Sequence, residues 1–364
     1  MSSQNLIPFR ISSVDSLGQG VSKITDKVTF IPKTLPGEEG KARLLSAKSK
    51  VAFGELVRIT QASPRRITPV CEHFKNCSGC HYLHTDYEYE LKLKLLGMKN
   101  LFHKYPDLKP QLISSTTRLG YRNRIQLHYD LKEKKLGFRN ARSNKILEVP
   151  HCQIGRKEVM DAVKELYTDN NWLRMAPTKT PRGHVEIYFD QNQLKITWNR
   201  PYAEGGFTQV HSEMNEKLKA KVKEVANSLK PRFVLDLFAG NGNLSNELSY
   251  EGRLCIDMYQ QQMPEDFYSL NLYGKTALSE VAKKLAQTQV DLLILDPPRS
   301  GLKNLDEWVK MSRPQSIIYV SCDPHTQIRD ISPLSGYEIK DSYLLDLFPS
   351  TFHFETMLFL ERKN

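Results

Sequence analysis

No apolar run among the 364 residues approaches the length, about 20 residues, that a membrane-spanning helix needs. The first residues, Met1-Ser2-Ser3-Gln4-Asn5, lack the charged-then-apolar pattern of a secretory signal. These two absences make a cytoplasmic location, with no membrane partner, the expectation. No Gly-Lys-Ser/Thr phosphate loop occurs either, which points away from nucleoside triphosphatases. Acidic residues are the scarcer charge, 41 against 52 Lys and Arg, for a net charge of +11. That balance suits a polyanionic partner, most commonly nucleic acid, although a basic surface kept for solubility would look the same. Cysteine is scarce too: Cys71, Cys77, Cys80, Cys152, Cys255 and Cys322 are all there are. In a cytoplasmic chain such thiols serve metal binding or catalysis more often than disulfides. What remains, 40% hydrophobic and 26% charged, is the composition of a soluble globular chain long enough for two or three domains.

Residues 1–62 read as a small β-barrel of the kind that binds oligonucleotides. Ile7–Ile11, Gly20–Ile24, Val28–Ile31 and Glu55–Ile59 are short strand-like runs between turn residues. Lys41, Arg43, Lys48 and Lys50 read as a solvated basic loop between strands. A second segment, 63–205, opens with three cysteines, Cys71, Cys77 and Cys80, at spacing C-x5-C-x2-C, with Cys152 far downstream. Three thiolates on one loop and one remote thiolate can hold an iron–sulfur cluster. A structural zinc site with His73, His81, His84 or His151 satisfies the same spacing. Residues 85–105 read as a helix capped by Thr85 or Asp86. Residues 118–157 carry eleven Lys and Arg against three acids, with Tyr121-Arg122-Asn123-Arg124 and Leu136-Gly137-Phe138-Arg139 mixing aromatics and arginines. Such stretches contact phosphates and stack on unpaired bases, so RNA or DNA contact is expected of Arg122, Arg124 and Arg139. Residues 183–198 alternate as a strand pair. After Gly205-Gly206 a helix runs from about Ser212 to Leu229.

The last segment, 206–364, is the clearest. Phe233–Phe238 is a buried-strand pattern that runs into Ala239-Gly240-Asn241-Gly242, a strand-to-helix turn that lets a ligand approach the backbone. The next strand ends in Asp257, 15 residues after Gly242, where a carboxylate can bind both hydroxyls of a ribose. The first strand ends in Asp236 and no phosphate loop follows. This favours S-adenosylmethionine, which has no phosphates to cradle. Val290–Leu295 leads into Asp296-Pro297-Pro298-Arg299, a rigid loop at the carboxyl end of the sheet. Ile317–Val320 leads into Ser321-Cys322-Asp323-Pro324, which presents a thiol in a stiff turn. That thiol is a candidate nucleophile, the plain alternative being a small buried apolar residue. Glu355 is a carboxylate at the start of a strongly apolar strand.

Taken together these motifs resemble the RNA uracil-5 methyltransferase family over nearly the whole chain. The motifs that carry the resemblance are Asp296-Pro297-Pro298-Arg299, Ser321-Cys322-Asp323-Pro324 with Thr326, Arg329 and Asp330, and Phe348-Pro349 through His353 and Glu355. Residues 1–62 resemble a TRAM domain, with Leu35-Pro36-Gly37-Glu38 in place, and the four cysteines resemble the iron–sulfur branch that acts on 23S ribosomal RNA. The resemblance implies an OB-like TRAM barrel, a central α+β iron–sulfur domain and a Rossmann-like class I methyltransferase domain. It implies that Gln209, Phe238, Asn243, Asp257 and Asp296 hold S-adenosylmethionine, that Cys322 is the nucleophile and Glu355 the base. It further implies a [4Fe-4S] cluster on Cys71, Cys77, Cys80 and Cys152, with 23S rRNA as partner. Two features depart from the family pattern: Asp323 stands where Asn is usual, and Gln260-Gln261-Gln262 falls in an irregular stretch. A transfer-RNA uracil methyltransferase is the nearest alternative. An amino-methyltransferase, which needs no Cys322, and a non-catalytic RNA-binding protein are the others.

Overall fold

The computed structural model describes residues 6–140, 143–190, 192–201, 209–258 and 264–363. The chain forms two compact units. One is built from residues 1–97, 116–202 and 348–353, the other from 98–115, 203–347 and 354–364.

The first unit begins with a closed barrel of β1 (Leu6–Val14), β2 (Gln19–Ser22), β3 (Val28–Pro32), β4 (Glu39–Ala47) and β5 (Val51–Gln61), ordered β1-β2-β3-β5-β4. Period-two alternation turns Phe9, Ile11, Ile31 and Ala42 inward. The basic stretch expected as a loop is corrected in part: Lys48 and Lys50 lie in the connection between β4 and β5, but Lys41 and Arg43 lie on β4, which pairs with both β1 and β5. Small Gly40 and Ala42 face the interior between them, and a Cβ at Gly40 would stand 2.1 Å from the Arg58 carbonyl oxygen. Lysines flanked by small residues read as loop because the strand's inward face carries so little apolar bulk. Leu35-Pro36-Gly37-Glu38 closes the barrel. Gly37 adopts φ 84, and the fully buried Glu38 accepts from the Leu35 amide at 2.8 Å and the Arg66 guanidinium at 2.8 Å.

Helix α1 (Tyr87–Leu101) follows, with Asp86 accepting the Tyr89 amide at 2.7 Å. The short strand β6 (Gln111–Ile113) belongs to the second unit's sheet. In the first unit β7 (Arg124–Asp130), β8 (Lys135–Arg139), β9 (Ile146–Leu147), β10 (Arg182–Asp190) and β11 (Gln193–Trp198) form a sheet ordered β11-β10-β7-β8-β9. Helix α2 (Lys157–Tyr167) covers it with Val159, Ala162, Val163 and Leu166, one helical stripe, and short α3 (Trp172–Met175) adds Trp172.

The expectation for Arg124 is corrected here. Arg124 is 2% exposed, its guanidinium lies 3.2 Å from the equally buried Glu186 carboxylate, and it sits 4.3 Å above the Tyr188 ring. Antiparallel pairing of β7 with β10 sets Arg124 directly opposite Tyr188, which makes it a core ion pair and not a phosphate contact. Tyr121 is likewise buried, its hydroxyl donating to the Pro349 carbonyl at 2.9 Å. Arg139 is exposed at the end of β8.

The second unit continues through α4 (Ser212–Leu229), β12 (Phe233–Leu237), β13 (Gly252–Asp257), β14 (Phe267–Ser269), α5 (Ala277–Leu285), β15 (Leu292–Leu295), α6 (Leu305–Ser312), β16 (Ser316–Ser321), α7 (Pro324–Ile331), β17 (Tyr337–Leu345) and β18 (Glu355–Arg362). Its eight strands run β14-β13-β12-β15-β16-β18-β17-β6. The strands β14 to β16 are parallel, β18 inserts antiparallel between β16 and β17, and the core strands are apolar on both faces. Strand order reverses between β12 and β15, so the ligand crevice of such a sheet opens at their carboxyl ends. The stretch Gln260-Gln261-Gln262 lies outside the described residues. No helix among the described residues is long and apolar enough to cross a membrane.

Removing one partner of a buried ion pair costs about 3–5 kcal/mol, whereas an exposed substitution stays within about 0.5 kcal/mol. Arg124→Ala is therefore expected to destabilise the protein strongly and Arg139→Ala hardly at all. Urea unfolding followed by tryptophan fluorescence checks this; comparable midpoints for the two variants would refute the core role.

Candidate active site and four-cysteine loop

Four strand ends converge on the crevice. At the end of β12 the carboxylate of Asp236, 1% exposed, accepts the Ser245 hydroxyl at 2.6 Å. Phe238 follows at φ 61, a conformation that bulky residues avoid and that clusters at ligand sites. Its ring stands 5.5 Å from that of Tyr273. Gly240 (φ 55) and Gly242 (φ 75) then turn the chain. The Gly240 amide donates to Asp257 Oδ2 at 3.0 Å, which joins the glycine turn to the acid at the end of β13. Asn243 is less available than expected: it exchanges paired amide bonds of 2.9 and 3.0 Å with Asn215 on α4. Gln209 is buried ahead of α4.

Across the switch point, Asp296 ends β15 and Cys322 ends β16. The pairing of Ser321 with Thr356 sets Cys322 beside Glu355 on the neighbouring β18. Burial pushes the Cys322 thiol up to about 12, and the Glu355 and Asp296 carboxylates push the same way. Arg299 opposes them: its nearby guanidinium favours the ionised sulfur. Glu355 is 2% exposed, its Oε1 has no hydrogen-bond partner among the described residues, and burial and then Asp296 raise its carboxyl well above the usual range. Burial, with Asp236 as neighbour, raises Asp296 to about 7; burial, partly offset by Ser245 and Arg253, raises Asp236 to about 7. The crevice thus holds an excess of carboxyl groups and is made to receive positive charge.

Asp323, where the motif departs from Asn, caps α7: its Oδ1 accepts the His325 amide at 3.0 Å, with Pro324 in the first helical turn. Asn performs the same capping, so the turn that presents Cys322 is kept.

In the first unit Cys71 precedes a short 3-10 turn, Glu72–Lys75, and Cys77 and Cys80 follow it. The Gly79 amide lies 3.4 Å from Cys77 Sγ. Lys33 of the barrel donates to the Phe74 carbonyl, to Lys75 O at 3.1 Å and to Cys77 O at 2.8 Å, which fixes the loop. Burial raises the Cys80 thiol, and Cys152, Cys77 and Cys71 add to it; Cys71 and Cys152 are raised by burial and by Cys77. All four sulfurs are therefore within electrostatic reach of one another. Among the described residues, however, no three His, Cys, Asp or Glu side chains close on a single ion. The loop is tied to the Phe348–Ser350 segment. His81 and Tyr82 amides donate to Ser350 O at 2.8 and 3.1 Å, and Glu90, buried with Lys94, accepts the Ser350 amide at 2.6 Å.

The structure adds residues to which sequence reading gave no role. Arg299 and Asp236 stood inside recognised motifs, so their signal was present. Tyr273, whose hydroxyl lies 2.9 Å from Ser300 Oγ and 3.0 Å from Gly301 O, lay in a stretch with no pattern of its own.

Comparison with known proteins bears on both units. The family described as tRNA (Uracil-5-)-methyltransferase matches residues 271–363, and the TRAM domain matches residues 8–57. A protein of Shewanella sediminis named 23S rRNA (uracil(1939)-C(5))-methyltransferase RlmD is 28% identical, over 98% of this chain and 96% of its own length. A Marinomonas protein of the same name is 28% identical over 99% and 96%. Among solved structures, the Pyrococcus abyssi tRNA (uracil-54, C5)-methyltransferase in complex with S-adenosyl-L-homocysteine shares the fold. Its TM-score is 0.73 at 20% identity, covering 97% of this chain and 99% of that one. Residues 8–57 thus match the TRAM domain and residues 271–363 a uracil-5 methyltransferase domain, and over nearly its whole length the chain is similar to proteins named as 23S rRNA uracil-C5 methyltransferases.

Proposed function

We propose that this protein methylates carbon 5 of one uridine in 23S ribosomal RNA, using S-adenosylmethionine, through a covalent Cys322–uracil adduct. The observation that carries the chemistry is the side-by-side placement of Cys322 and Glu355 at the ends of paired strands. The names of the curated relatives favour the ribosomal substrate.

Carbon 5 of uracil is too weak a nucleophile to take a methyl group unaided. S-adenosylmethionine, when bound, supplies that methyl on a sulfonium. The Cys322 thiolate adds to carbon 6, which makes an enolate whose carbon 5 is nucleophilic. Arg299, whose positive charge lies near the sulfur, favours the thiolate over the thiol. After methyl transfer Glu355 removes the proton from carbon 5, and elimination frees Cys322 and 5-methyluracil. In this reading Asp236 and Asp257 line the donor's side of the crevice with Phe238, Gln209 and Asn243, and Asp296 stands between donor and pyrimidine. Asn243 would have to act from within its pairing with Asn215. Residues 1–62 and the exposed basic edge with Arg139 supply RNA contacts, residues 63–205 the four-cysteine domain, and residues 206–364 the chemistry. The name of the matched family favours a second reading, a transfer-RNA substrate. Mapping 5-methyluridine in both RNA pools of a deletion strain separates the two.

The four cysteines suit a [4Fe-4S] cluster. Thiols that raise one another's proton affinity need a cationic centre before they ionise. Cys71, Cys77, Cys80 and Cys152 would hold the cluster, whose part here is to order the loop.

Three expectations follow from this reading. Cys322→Ala abolishes methylation and leaves no covalent RNA. Glu355→Gln still permits addition and methyl transfer but not proton removal, so a methyl-labelled protein–RNA adduct accumulates and survives a denaturing gel. Normal turnover by Glu355→Gln would reject the assignment of the base. Protein purified without oxygen is brown with broad visible absorption and loses both on Cys80→Ala; a colourless protein with one zinc per chain would reject the cluster. The third expectation concerns charge. Asp296 keeps its proton up to about pH 7, against 3.8 in an unfolded chain. The folded state therefore binds more protons between those limits, and its stability falls as pH rises through that window. Asp296→Asn removes this loss. In donor-free protein its melting temperature should exceed the wild type's by more at pH 8 than at pH 5; an equal gain at both would mean the carboxyl is not strained.

A further inference from the structure

Helix α7 begins two residues after Cys322 and turns polar side chains toward the core. Asp330, 1% exposed, shares its carboxylate among three donors. Its Oδ2 accepts the Leu302 amide at 2.6 Å and the Tyr319 hydroxyl at 2.7 Å, and its Oδ1 accepts Arg329 Nε at 2.8 Å. Arg329 reaches on to the Ser300 carbonyl with Nη2 at 2.7 Å. One acid and one guanidinium thus grip the loop after Asp296 at two points, at residues one and three beyond Arg299. The grip has no slack: Gly301 between those points adopts φ 67, and a Cβ there would stand 2.3 Å from Asp330 Oδ2. A carboxylate shut away from water is an expensive way to fill a core, and it is retained where its directed bonds serve a purpose.

We propose that Asp330 is a positioning residue for the nucleophile: it holds the 299–302 loop so that the Arg299 guanidinium stays near Cys322. The inference rests on the reading of Cys322 as the attacking group. Helix α7 is the rigid link, because it follows directly from Cys322 and carries Asp330 two turns later. The attraction between a guanidinium and a thiolate falls off with distance, so loosening the loop weakens it and returns the sulfur toward its thiol form.

The reactivity of the thiol reads this out without RNA or donor. The rate of alkylation of Cys322 by iodoacetamide, resolved by peptide mass spectrometry of the full-length protein, is measured between pH 7 and 9. A thiol raised by one pH unit loses tenfold in thiolate but regains about threefold in intrinsic nucleophilicity, so a net drop of about threefold per unit is expected. Asp330→Asn should slow alkylation by about that factor or more. Arg299→Gln should do the same, and the double variant should be no slower than Arg299→Gln alone, since both act through one contact. Tyr319→Phe also removes a buried bond to Asp330 but leaves the loop gripped, so it should react like the wild type. If Asp330→Asn does not fold, Gly301→Ala tests the same contact by displacing the loop from the other side, with the same slowing expected. Wild-type rates in Asp330→Asn or Gly301→Ala, multiplied effects in the double variant, or slowing by Tyr319→Phe would each overturn the proposal. Methylation by Cys322→Ala would instead overturn the nucleophile itself and leave the alkylation result standing.

Discussion

The constraint on which the active unit depends is an excess of negative charge at one end of a parallel sheet. Asp236, Asp257 and Asp296 end three strands, and Glu355 begins the strand inserted beside Cys322. In water four carboxylates would repel weakly. Shut into a crevice, Asp236, Asp296 and Glu355 hold their protons more tightly, through burial first and then through neighbouring carboxylates, and the thiol shares the effect. A structure that places such groups together stores an unfavourable charge that a bound cation relieves. A sulfonium donor is a cation until its methyl group leaves, so this crevice is better matched to the donor before transfer than to the neutral product after it. The same repulsion explains why Arg299 has to be held in place: its guanidinium lowers the proton affinity of both Cys322 and Glu355.

Holding it is a matter of local architecture. Parallel strands deliver their ends to one side, but loops at those ends are free to drift unless something grips them. Two residues on the inner face of α7 do this by different routes. Asp330 grips the loop that carries Arg299. Gln327, fully buried, donates to the Tyr319 carbonyl at 2.9 Å and accepts the Thr356 hydroxyl at 2.7 Å. Thr356 adjoins Glu355, so the strand ends that carry Cys322 and Glu355 are tied by a single amide side chain. The spacing of Gln327 and Asp330, three residues apart, puts both on one helix face.

Much of this is legible in the sequence, because strand-to-turn punctuation is local. Apolar runs ending in Asp236, Asp257, Asp296 and Cys322 announce a sheet and its working edge by their pattern alone. What is not legible depends on strand pairing over long separations. Arg124 looks like an RNA contact because its neighbours are Arg122 and Tyr121, yet its partner Glu186 lies 62 residues on, across β10. Strand β4 is hidden by Lys41 and Arg43, since its inward face is made of Gly40 and Ala42. Strand β6 is three residues long, and only its pairing with β17 makes it a strand. In the cysteine loop, spacing places the four thiols in one set. It says nothing of Lys33, 38 residues before Cys71, whose ammonium ties the loop to the barrel.

Asp323 shows how a departure from a motif can be absorbed. Asn and Asp are nearly interchangeable at a helix N-cap, because either side-chain oxygen satisfies an orphan amide. They differ in charge, and a second carboxylate beside a nucleophilic thiol would oppose its ionisation if it faced the sulfur. Here it faces the helix: Asp323 accepts the His325 amide, and its own amide and carbonyl are engaged by Ser321 and Thr326. The positive end of α7 takes up the added charge. The groups that move the Cys322 proton are instead Glu355, Asp296 and Arg299, which stand on three other segments. A substitution that looks alarming in a string of letters thus falls on the capping function of the turn, while control of the thiol rests with residues that the fold brings from elsewhere.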